Sequence, residues 1–121
     1  MIEKKGIQFL NNKENIKGFI IYDSNKTKPT VLNLHGAGKS NKERQEPLLN
    51  FLAVKGISSL AFDFSGHGES DGLLKNSSLE KRVSEALKAF EYLDSKPLTI
   101  IASSMGGHIA IELLKHKKNI K

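Results

Sequence analysis

The sequence predicts an α/β domain of three layers, a mostly parallel sheet with helices on both faces. Short apolar runs alternate with segments whose apolar residues recur at helical spacing. From residue 30 onward the order is strand, helix, strand, helix, strand, helix, which demands parallel pairing through crossover helices and so covers both sheet faces. The run at 57–62 is almost continuously apolar, as a strand buried on both sides must be.

Residues 18–22 (GFIIY) and 30–34 (TVLNL) read as short strands, separated by a turn-forming stretch at 23–29. Pro47 suits a first helical turn, Leu48, Phe51, Leu52 and Val54 supply an apolar face, and Gly56 stops the helix. The strand at 57–62 ends at Asp63 and a glycine-rich turn. Ser77 with Glu80 forms a capping box for the next helix, along which Leu79, Val83, Ala86, Leu87, Phe90 and Leu93 recur; Pro97 closes that region. Residues 98–102 form the last strand. A helix follows from Met105 to about residue 117, with Ile109, Ala110, Leu113 and Leu114 inward. Lys115, Lys117, Lys118 and Lys121 gather at its negative pole, where cations are favoured.

A length of 121 residues bounds the chain to one domain. With 38% hydrophobic and 26% charged residues it has the make-up of a water-soluble protein, and no apolar run approaches the ~20 residues of a membrane span. The first ten residues are charged and lack an apolar h-region, so no secretory leader is expected and a cytoplasmic location follows. Cysteine is absent, which excludes disulfides and thiol chemistry. The net charge is +6, but the lysines are scattered among Glu and Asp, a solvated surface rather than a nucleic-acid-binding stripe.

Three loops leave the carboxyl ends of predicted strands, the edge where open α/β sheets build their sites: HGAGKS at 35–40, DFSGHGES at 63–70 and ASSMGG at 102–107. In the last, a β-branched strand runs straight into small residues and then a helix. A turn that tight brings together the residues two before and two after its apex, so both must be small. With Ser104 at the apex they are Ala102 and Gly106; with Ser103 they would be Ile101 and Met105. The apex is therefore Ser104.

Together the three loops resemble the amino-terminal half of an α/β-hydrolase, close to the serine esterase, lipase and aminopeptidase-like branch. The resemblance implies a serine hydrolase acting on an ester, thioester or amide of a small acyl substrate, with Ser104 as nucleophile and no cofactor or metal. The N–H groups of Met105 and Ala37 would form the oxyanion hole. Gly36 and Gly38 would turn the loop amides inward, while His35, Asp63, His67 and Gly106 would shape the loops. Ala102 replaces the first glycine of the family's G-x-S-x-G and is still small. A serine hydrolase of this kind forms an acyl-enzyme, a His taking the serine proton under the guidance of an acid.

The resemblance begins near Gly18 and covers only the first half of the family's domain. No residue here matches its acid or its catalytic His. The expectation is a partial domain over 1–121, a truncated α/β-hydrolase fold ending just after the nucleophile helix, nearly inert alone. Removing the base of one protease lowers turnover about 2 × 10⁶-fold. The strand at 98–102 would be an open edge, available to a carboxyl-terminal half or a second chain. Two other readings compete. One is a non-catalytic α/β binding or assembly module. The other is a nucleotide site, because GAGKS imitates a P-loop; yet Asn33 stands where its first glycine belongs. His108, Glu112 and His116 share a helix face at metal-ligand spacing but read as an ordinary polar face.

Overall fold

The computed structural model describes residues 1–36, 40–94 and 98–116. Ala37, Gly38, Pro97, Lys117, Lys118 and Lys121 lie outside the described residues. The elements are β1 (Ile2–Asn11), β2 (Glu14–Asp23), β3 (Val31–Leu34), α1 (Glu46–Val54), β4 (Ser59–Phe62), α2 (Leu79–Ala89), β5 (Thr99–Ala102) and α3 (Met105–His116). One-turn 3-10 segments occupy Leu74–Asn76 and Phe90–Tyr92.

The strands form one sheet in the order β1-β2-β4-β3-β5. β3 runs parallel to both β4 and β5, as the crossover helices require. β2 runs antiparallel to β1 and to β4, so the sheet is mixed. β1 and β2 form a hairpin around Asn12 and Lys13, both at positive φ, the backbone that lets a two-residue turn follow the strand twist. β1 gave no strand signal because it is an edge strand with only Phe9 and Asn11 buried, so its residues have no reason to alternate.

Alternation along β2 splits the core. Ile16 and Ile20 join Leu32, Leu34, Leu60 and Phe62 beneath α2 and α3, whereas Phe19 and Ile21 meet Ala61 beneath α1. Helices therefore cover both faces. α1 buries Leu49 and Ala53, while Leu48, Phe51 and Val54 of the expected face point outward. The helix is apolar nearly all round, so its periodicity does not select a face. α3 buries Ile109 and Leu113, as their spacing requires, but Leu114 is exposed. Ser78, not Ser77, caps α2 by accepting the Lys81 N–H; Ser77 accepts from Arg82 Nε instead. Among the described residues no helix is long and apolar enough to cross a membrane.

Candidate functional site

Ser104 lies between β5 and α3 with φ +51°, a left-handed conformation that costs an ordinary side chain roughly 1–2 kcal/mol. The turn is held from both sides. Ser103 N–H donates to the Leu34 carbonyl at 3.2 Å, and the Gly106 and Gly107 N–H groups donate to the carbonyls of Ser103 and Ser104 at 2.9 Å. Gly106 is buried against β3: a Cβ there would stand 2.6 Å from the Leu34 carbonyl oxygen. The close approach that Gly106 permits is thus to the backbone of β3. Ser104 itself is exposed. Met105 opens α3, where the first backbone N–H groups have no intrahelical acceptor.

Gly36 flanks the other side of the turn, where a Cβ would stand in ordinary contact, 3.5 Å from both the Ser103 carbonyl oxygen and Ser104 Cβ. A cleft of about 260 Å³ opens there, lined by Gly36, Ser40, Arg44, Gln45, Ser103 and Ser104. Gln45 Nε2 donates to Ser103 Oγ at 3.4 Å. A larger groove of about 560 Å³ runs between α2 and α3 and contains none of the three loops.

His35 is a strut. Its Nε2 accepts the Phe64 N–H at 3.1 Å, so its Nδ1 carries the proton and donates to the Gly36 carbonyl. Burial pushes its pKa down to about 4, against the Gly36 hydrogen bond, and the His67 ring adds to the depression. With both nitrogens engaged, the neutral ring ties the start of the 35–40 loop to the end of β4. The His67 ring packs against it at a tilt of 57°, ring centroids 4.9 Å apart, and its Nδ1 lies 3.1 Å from the Ser65 carbonyl oxygen.

Asp63 is fully buried and organises two loops at once. Its carboxylate accepts from the Lys42 N–H at 2.7 Å, the Lys42 ammonium at 2.6 Å and the Glu69 N–H at 2.9 Å. Gly68, at φ +47°, leaves space that a Cβ would fill 2.3 Å from that carboxylate. Burial draws the Lys42 ammonium toward neutrality, but the hydrogen bonds it donates to Asp63, Glu69 and Glu43 outweigh it and hold its pKa above the usual lysine value. Lys42 thus clamps the segment that begins at Ser40 to the turn at 63–70. Nothing in the sequence singles it out from the other lysines.

Glu85 was also missed. It sits on the buried face of α2, where its Oε1 accepts the Ser65 N–H at 2.8 Å. Burial raises its pKa to about 7, opposed by that hydrogen bond. Its position four before Ala89 was a signal, since helical spacing turns both inward. His108 and His116 are exposed on α3, and Glu112 accepts from Lys115 at 3.0 Å.

A family model described as serine aminopeptidase, S33, matches residues 25–121. The chain is 36% identical over 92 residues to a multifunctional-autoprocessing repeats-in-toxin protein of Vibrio cholerae, covering 71% of this chain and 2% of the toxin. It is similar to an esterase from Pyrococcus furiosus at 29% identity and a TM-score of 0.76, covering 98% of this chain and 49% of the esterase. A putative hydrolase from Agrobacterium vitis superposes with a TM-score of 0.79 at 24% identity, over 100% of this chain and 49% of that one. The chain thus spans about half the length of these solved structures and a small fraction of the toxin.

Proposed function

The chain belongs to the serine aminopeptidase family of α/β-hydrolases, and on that footing we propose that it cleaves an ester, thioester or amide of a small acyl substrate through an acyl-enzyme on Ser104. The observation that carries this reading is Ser104 at positive φ, exposed at a strand-to-helix turn in a cleft that Gly36 also lines. The hydroxyl oxygen would attack the acyl carbon, its proton passing to a base and then to the leaving group as the scissile bond breaks. Water would release the acyl group by the same route in reverse. The N–H groups of Met105 and Ala37 would hold the oxyanion. In a studied protease, loss of one such donor costs about 2.7–4 kcal/mol of barrier stabilisation.

His35 and His67 serve the loops, so in this reading the base and its acid would come from a carboxyl-terminal half or a second chain. Among the described residues β5 ends the sheet, and Ile111 and Leu114 on α3 are exposed, which supports docking there. Because both nitrogens of His35 are occupied, a non-catalytic binding or assembly module is the second reading. An alkyl fluorophosphonate added to the protein as isolated from its own cells separates the two. Hydrolase function predicts phosphonylation of Ser104, abolished by Ser104→Ala; a folded protein left unlabelled would favour the module.

A further inference from the structure

The charges around the Ser104 cleft are unevenly matched. Glu43 bonds Lys42 at 3.1 Å, Glu69 bonds Lys42 at 2.7 Å, and Glu46 bonds Lys4 at 3.1 Å. Each acidic side chain near the 40–46 segment is thereby committed to a lysine. Arg44, which lines the cleft, has no carboxylate partner among the described residues. Among the described residues the other polar side chains on the wall are Ser40, Gln45, Ser103 and Ser104, none of them anionic. Among the described residues the wall therefore offers hydrogen-bond donors and the positive charge of Arg44 to whatever occupies it. A guanidinium presents a planar fork matched to a carboxylate or phosphate, and it stays charged at every physiological pH.

We infer that the cleft selects acyl substrates bearing an anionic group near the scissile bond, and that Arg44 is the residue that recognises it. The inference rests on the reading of Ser104 as nucleophile and adds the substrate class. Arg44 is exposed, so its contribution is that of a solvated ion pair. The preference should be modest, about fivefold, and should shrink as salt screens it.

The test compares two fluorophosphonates of equal chain length, one ending in a methyl group and the other in a carboxylate, on the protein as isolated from its own cells. The rate of Ser104 labelling is read by mass spectrometry at low and high salt. The expected result is faster labelling by the carboxylate probe at low salt, with the ratio falling toward one at high salt and in Arg44→Gln. Arg44→Lys should keep part of the preference, since the charge survives and the fork does not. Equal rates for both probes, or a preference that persists in Arg44→Gln, would overturn the inference while leaving Ser104 as nucleophile. If neither probe labels Ser104, the hydrolase reading fails and the inference falls with it.

Discussion

Replacing Lys42 by methionine keeps most of the side-chain volume and removes one charge from the buried pair with Asp63. The two groups are 2.6 Å apart, with side chains 4% and 0% exposed. Removing one partner of such a pair leaves the other charge uncompensated and costs about 3–5 kcal/mol. Asp63 would retain the Lys42 and Glu69 N–H donors, which places the loss at the lower end, about 3 kcal/mol. The contacts of Lys42 to Glu43 and Glu69 add little, because those carboxylates are 44% and 67% exposed. A loss of 3 kcal/mol is a large share of the roughly 5–15 kcal/mol of a typical domain and lowers Tm by about 10 °C. Urea unfolding followed by circular dichroism at pH 7 reads it directly. The double variant Lys42→Met with Asp63→Asn should lose clearly less than the sum of the singles, since each removes the same interaction. A loss under about 1 kcal/mol for Lys42→Met, or strict additivity in the double variant, would refute the clamp.

Glu85 makes stability depend on pH. Below about 4.5 it is protonated in both the folded and the unfolded chain; as pH rises to about 7 only the unfolded chain ionises it, so stability falls across that window and then levels off. The fall amounts to about 3 kcal/mol, and Glu85→Gln should flatten it when urea midpoints at pH 5 and pH 8 are compared. Gly106→Ala should cost about 1–3 kcal/mol in the same unfolding assay, because its Cβ can be accommodated only by moving α3 away from the Leu34 backbone. Ser104→Gly should raise stability by up to about 1 kcal/mol, glycine being at ease at φ +51°, and should abolish fluorophosphonate labelling.

The turn from β5 through Ser104 into α3 was legible because a close backbone approach restricts side-chain size, and at 106 that restriction is written directly as glycine, packed against the Leu34 carbonyl. The parallel strands β3 and β4 were legible for a related reason: burial on both faces demands unbroken apolarity. β1 was not, since an edge strand answers to backbone pairing alone. The inward face of α1 and the exposure of Leu114 depend on what packs beside each helix, which periodicity does not encode. Lys42 and Glu85 show a further limit. Each is a charged residue drawn inward by a partner some twenty positions away, Asp63 for the first and the Ser65 N–H for the second, and a linear pattern carries no trace of such pairings.

The central claim is that one strained serine presents its oxygen to a prepared pair of backbone donors. A crystal structure of the phosphonylated protein measures it. The account predicts phosphorus on Ser104 Oγ, with the phosphonyl oxygen about 2.7–3.1 Å from the N–H groups of Met105 and Ala37. Phosphorus on Ser103, or an oxygen on the Ser104 adduct that faces solvent with neither amide in reach, would contradict it.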